Sequence, residues 1–116
     1  MKPESRVQRA ILSYLRTHNI VAAAVPNGAQ LAGDSAARAR QMSAMKADGL
    51  FPGFPDLILF HPRLPTTGFV EVKAEGGKLN DNQRKAIEWM QHRGLPVAVC
   101  RSVEDMADTL NDWGWV

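Results

Sequence analysis

The chain has little that would identify it by composition. Of its 116 residues one is cysteine, Cys100, so no disulfide can form within the chain. Cys100 lies in an apolar run, where a buried thiol in a reducing compartment is the simplest reading. No apolar run approaches the roughly 20 residues of a membrane span. Met1 to Ser13 lacks the apolar stretch of a secretory signal, so a cytoplasmic location with no membrane partner is expected. His18, His61 and His92 show no ligand spacing and are assigned no chemistry. There are no repeats, no low-complexity segments and no linker that would split the chain. No recognition-helix or zinc-finger signature is present to read base sequence. Neither sign of charge dominates: 14 Lys and Arg stand against 12 Asp and Glu, a net +2.

What is present suits one globular domain over 1–116, with 45% hydrophobic and 22% charged residues. Arg6, Arg9, Arg16, Arg38, Arg40 and Lys46 dominate the first half, where acids are few: Glu4, Asp34, Asp48 and, at its end, Asp56. That excess fits a phosphate backbone or a solvated helix surface equally well. Pro3 to about Thr17 reads as a helix with Val7, Ala10, Ile11, Tyr14 and Leu15 on one face. Ile20–Val25 reads as a short strand, and the Gly-rich Asn27–Asp34 segment as mobile. Ser35 to Lys46 reads as a second helix, with Ala37, Gln41, Met42 and Met45 near one stripe and Gly49 ending it. "LFPGFPD" cannot be helix. Leu57–Phe60 is a continuous apolar run, expected to be a strand buried on both faces. His61–Thr67 is a turn, and Phe69–Lys73 an alternating strand. A helix over Asp81–Arg93 ends at Gly94 and Pro96. Val97–Cys100 reads as another buried strand, and Ser102 as the cap of a last helix. The order α, β, α, β, β, α, β, α predicts an α/β fold: a mixed sheet flanked by helices.

The unusual stretch is "DLILFHPRLPTTGFVEVK", which places Asp56, Glu71 and Lys73 at the ends of two apolar strands. Centring the turn on Leu64 sets Asp56 opposite Val72. A shift of one residue sets it opposite Glu71 or Lys73, and the sequence does not choose. In each register Asp56 comes within one step of both charged residues. Two carboxylates so close repel, and burial raises the cost. Lys73 offsets one charge, and a hard divalent cation, Mg²⁺ or Mn²⁺, would meet the rest through all-oxygen ligands. Pro-Asp alone is a common turn and Glu-x-Lys alone a common edge pattern. Together at hairpin spacing they favour hydrolysis of a phosphodiester.

Pro55-Asp56 followed by Glu71-Val72-Lys73 resembles the PD-(D/E)XK nuclease superfamily. More closely, the chain resembles a small stand-alone VRR-NUC domain of phage or prophage type. "PESRVQRAILSYL", "VPNGAQ", "MKADGLFPGFPDLILF", "GFVEVKAEGGKLNDNQRKAIEWM" and "RGLPVAVCRSVEDM" carry the resemblance over nearly the whole chain. It implies a restriction-endonuclease-like core with a mixed four-stranded sheet. It implies that Asp56 and Glu71 bind the catalytic metal, with the Val72 carbonyl as a third ligand. Lys73 would position or activate the attacking water. Glu4 matches a first-helix glutamate that reaches the metal directly or through water, although any acid is favoured in a first helical turn. Gln83 matches a glutamine that supports the site, although its spacing from Asn80 is also that of a capping box; both roles coexist if Asp81 is the cap. Asn27 matches a turn position. Lys46, Lys78, Arg38 and Arg40 are candidate DNA contacts and equally candidate solvated charges.

The expected activity is Mg²⁺- or Mn²⁺-dependent DNA endonuclease action on four-way junctions or flaps, in phage replication, repair or recombination, with no small-molecule cofactor. A homodimer is expected, with Trp113, Trp115 and the segment near Met42 and Met45 as interface candidates. The tryptophans fold back on the core in the other reading. An inactive DNA-binding or virion module is the rival function. The inactive DNA-binding module predicts loss of Asp56, Glu71 or Lys73, and none is lost. The virion module, with these residues as a surface ion-pair network, predicts no dependence of stability or activity on Mg²⁺.

Overall fold

The computed structural model describes residues 1–26 and 31–116. The elements follow in the expected order: α1 (Pro3–Thr17), β1 (Val21–Ala24), α2 (Ser35–Ala47), β2 (Leu57–Phe60), β3 (Thr67–Val72), α3 (Asp81–His92), β4 (Val97–Cys100) and α4 (Val103–Asp112). The turn expected at Asn27 lies outside the described residues. Within the segment expected to be mobile, residues 31–34 are tied to α2. The Gln41 side chain donates to the Ala32 carbonyl at 2.5 Å and accepts from the Ala32 N–H at 3.1 Å. Asp34 Oδ1 caps the helix by accepting from the Ala37 N–H.

The sheet runs β1-β2-β3-β4. The first two pairings are antiparallel and β3–β4 is parallel, with α3 as the crossover, so the sheet is mixed as predicted. Leu57, Leu59, Val70, Val72 and Cys100 share one face. There they meet Ile11 and Leu15 of α1 and Met106 and Leu110 of α4 in one buried cluster. The spacing of Ile11 and Leu15 puts both on one side of α1, which is why that face turns inward. Strand alternation sends Ile58, Phe69, Glu71 and Val99 to the other face. There α3 packs against β4 through its apolar side, where Ala86, Ile87 and Met90 are buried.

Two expectations about packing are corrected, and one left open between two readings is decided. β2 is not covered on both faces: Ile58 is half-buried and Phe60 is 43% exposed. α3 covers the β3–β4 side of that face, and α2 contributes no fully buried side chain to it. β4 is only half-buried apart from Cys100, because it forms the sheet edge. Trp113 and Trp115, offered above as interface candidates, close this chain's own core. Trp115 belongs to the core cluster and its ring lies 5.1 Å from that of His61 and 5.3 Å from that of Trp113. A Cβ at Gly68 would come within 2.4 Å of the Trp113 ring, so the absent side chain makes room for the indole over β3.

Candidate active site

The register is one step from the turn centred on Leu64. Leu57 pairs with Val70 and Phe60 with Thr67. Continued by one residue, Asp56 faces Glu71, the alternative that puts both carboxylates on the α3 face. The turn that sets this register is organised by His61. Its Nδ1 accepts from the Arg63 and Leu64 N–H groups at 3.1 and 3.0 Å, and its own N–H donates to the Thr66 carbonyl.

Asp56 is fixed on two sides. Its carbonyl accepts from the Val25 N–H at 2.7 Å, and its Oδ2 accepts from the Val72 N–H at 2.8 Å. The carboxylate thus continues the β2–β3 ladder one step past its last backbone pair. In an extended strand a residue's N–H and C=O leave on the same side, so the Val72 carbonyl also faces the Asp56 side. Pro55, fully buried, anchors the turn into β2 without an N–H to satisfy.

Glu71 is 1% exposed, and its Oε2 is buried with no hydrogen-bond partner. Burial pushes its carboxyl up to about 9. The hydrogen bond with Asp56 and the Asp56 charge push the same way, Lys73 opposes them, and Glu4 adds a further upward push. Lys73 is also buried, on the face that Glu71 occupies, and its N–H donates to the Cys100 carbonyl at 3.1 Å. Asp56, Glu71 and Lys73 therefore come together as predicted. Glu4 lies exposed in the first turn of α1, within electrostatic reach of Glu71. Among the described residues no three His, Cys, Asp or Glu side chains group closely enough to hold a metal by themselves. A cation here would draw on Asp56, Glu71 and the Val72 carbonyl, and the orphaned Glu71 Oε2 fits that use: it is a buried acceptor with nothing else to bind.

Gln83 serves as a helix cap. Asn80 Oδ1 accepts from the Gln83 N–H at 2.9 Å, and Gln83 Oε1 accepts from the Asn80 N–H at 3.0 Å. Asn80, not Asp81, is the N-cap, so the capping box is complete. Gln83 also lines a cleft of about 200 Å³ with Asp56, Glu71 and Met42, and its Nε2 has no partner among the described residues. Of the candidate DNA contacts, Arg38, Arg40, Lys46 and Lys78 are all exposed. Arg38 and Lys46 lie one turn either side of Met42, a cleft residue, on α2. Arg40 projects about 200° around the helix from Met42 and is not brought to it.

Two residues without an assigned role position the site. Gly53 has φ +78°, and a Cβ there would lie 2.3 Å from the Asn82 carbonyl and 2.5 Å from the Gln83 nitrogen. Only glycine lets the loop before Asp56 dock on the first turn of α3. Its signal was visible in "PGFPD", though not its partner. Arg101 donates to the Gly77 carbonyl at 2.8 Å, while its own N–H donates to Asp105. A Cβ on Gly77 would lie 3.6 Å from the Lys73 Cδ, so Arg101 secures the loop that lies along the lysine stem. No local pattern marks such a pairing across 24 residues.

Comparison with known proteins gives the family. The family model described as VRR-NUC domain matches residues 2–104. Two solved structures share the fold. One, titled "VRR_NUC domain", has a TM-score of 0.64 and 24% identity, covering 97% of each chain. The other, "VRR_NUC domain protein", has a TM-score of 0.63 and 17% identity, covering 97% of this chain and 88% of that one. A "Fanconi-associated nuclease 1 homolog" of Pseudomonas aeruginosa is 46% identical over 48 residues, which are 41% of this chain and 9% of that protein. This chain thus aligns with a small fraction of that relative's length. With the model match spanning nearly the whole sequence, the chain belongs to the VRR-NUC family of nuclease domains.

Proposed function

We propose that the chain is a divalent-metal-dependent DNA endonuclease that hydrolyses phosphodiesters in branched DNA, four-way junctions or flaps, during phage replication, repair or recombination in the host cytoplasm. The observation that carries the reading is Glu71 Oε2, a buried carboxylate oxygen without a partner, beside Asp56 and on the same face as the Lys73 amine. No helix among the described residues is long and apolar enough to cross a membrane.

Asp56 and Glu71 would hold Mg²⁺ or Mn²⁺ with the Val72 carbonyl. When bound, the ion supplies positive charge for a phosphoryl oxygen and acidity for water. The chain's own residues do the rest. The Val72 N–H keeps the Asp56 carboxylate oriented at 2.8 Å. The Lys73 ammonium, held on a buried stem, donates a hydrogen bond to the attacking water and orients it. Gln83 offers Nε2 to the scissile strand while its Oε1 stays in the cap. Glu4 reaches the site from α1 through solvent. Arg38 and Lys46 meet phosphates along the cleft rim. Shape is the basis of substrate choice, since no element carries a base-reading pattern. A domain this small acts as a homodimer so that paired sites cut two strands.

The test is incubation of labelled four-way junction, flap and linear duplex with Mg²⁺, Mn²⁺ or EDTA, beside Glu71→Ala. Cutting of branched DNA that needs the cation and is lost in Glu71→Ala is expected. Cutting that survives EDTA or the substitution overturns the site. Cutting confined to linear DNA overturns the substrate and leaves the chemistry.

A further inference from the structure

A line of aromatic rings runs from the candidate site to the surface. Phe69, two residues before Glu71 on the same face, meets Phe54 edge to face at 5.7 Å. Phe54 meets Phe51 at 5.5 Å, and Phe51 meets Trp89 at 5.6 Å. The Arg93 guanidinium lies 3.8 Å from the centre of the Trp89 ring and also donates to the Trp89 carbonyl. The inner rings are half-buried, but Phe51 is 38% and Trp89 44% exposed. Lys85, Trp89 and Arg93 follow one another at four-residue spacing, one stripe on the outside of α3, and all are exposed. Glu88, the nearest acid on the helix, is turned about 100° away from Trp89.

Neither the catalytic geometry nor the core requires this arrangement. Phe51 and Trp89 keep part of their ring surface exposed, with the Arg93 guanidinium stacked on one face of Trp89 and Lys85 one turn away. Exposed rings beside cations are the chemistry that binds unpaired nucleotides: rings and guanidinium planes for the bases, ammonium groups for the phosphates. Its position agrees. Phe54 lines the cleft, and Phe51 stands between Leu50 and Pro52, which line it too. Trp89 lies six residues along α3 from Gln83, an axial rise of about 9 Å and about 120° around the helix.

We propose that Phe51 and Trp89, flanked by Lys85 and Arg93, form a stacking platform beside the cleft for an unpaired base of the DNA substrate. The platform supplies the preference for branched over continuous duplex DNA, and in that respect it rests on the nuclease reading.

The test reads binding without cleavage. Fluorescence anisotropy in EDTA compares a labelled duplex with the same duplex bearing a single-stranded flap. Trp89→Ala is expected to weaken flap binding about tenfold and duplex binding by less than about twofold. Trp89→Phe, which keeps a ring, restores the flap affinity. Lys85→Gln weakens both substrates alike. No flap preference in the native chain, equal losses on both substrates in Trp89→Ala, or no loss at all overturns the platform. So does a lower oligomeric mass of Trp89→Ala in light scattering, which would mean that a second copy covers the rings. A native chain that prefers the flap but never cuts it overturns the nuclease reading and leaves the platform standing.

Discussion

Burial, the proton shared with Asp56 and the Asp56 charge push the Glu71 carboxyl up to about 9 from an ordinary 4.5. Between those values the folded chain holds a proton that the unfolded chain has released. Stability without metal therefore falls as pH rises through that window, by at most about 1.4 kcal/mol per pH unit from this group. Urea unfolding in EDTA at successive pH values should show the decline, and Glu71→Gln should flatten it, because the amide mimics the neutral acid. At pH 8 that variant should be at least as stable as the native chain while losing roughly 10³-fold or more in cleavage. A divalent cation bound as proposed would replace the proton, so added Mg²⁺ should restore stability most at high pH. These carboxylates were legible because a Pro-Asp entrance and a Glu-x-Lys exit at hairpin spacing leave few arrangements. The register was not legible, because it depends on His61 folding its ring into the turn, a contact that counting from a turn centre does not foresee. Nor did spacing reveal that Gln83 gives one end of its amide to the cap and leaves the other to the cleft.

Helices were read almost to the residue, since caps and stops such as Ser102, Gly49 and Gly94 are local chemistry. Strand burial was read less well. An apolar run such as Leu57–Phe60 looks the same whether or not a helix covers its second face, and coverage is decided by distant elements. Loop docking is a similar case. Gly53 joins the loop before β2 to the first turn of α3 by an approach that any Cβ would block. Gly53→Ala should cost at least about 2 kcal/mol from clash and positive φ together, and should lower kcat by separating Asp56 from Gln83. Gly49 is the control: its φ is +103° but the space around it is open. Gly49→Ala should show only the backbone strain, about 1 kcal/mol, with kcat preserved. Thermal melts and cleavage rates on both variants check the distinction.

Over the whole molecule, α1, α4 and the C-terminal tryptophans build the stability on one side of the sheet, while the chemistry sits on the other. Trp115 is 7% exposed among core residues, so Trp115→Ala should cost about 3–5 kcal/mol of folding free energy. The folded fraction of that variant should keep the native oligomeric mass in light scattering; a dissociated but otherwise stable chain would return the tryptophans to an interface. The division leaves the α3 face free to carry polar and exposed groups at little cost to the core. One junction crosses it. Asp56 lends a side-chain oxygen to the strand pairing at the point where the backbone runs out of acceptors, so the carboxylate proposed as a ligand is also a strut. Inactive variants at this position are consequently not interchangeable. The amide keeps an acceptor for its neighbour and gives a faithful blank, whereas truncation to alanine unpicks the seam between two strands and confounds lost chemistry with lost architecture.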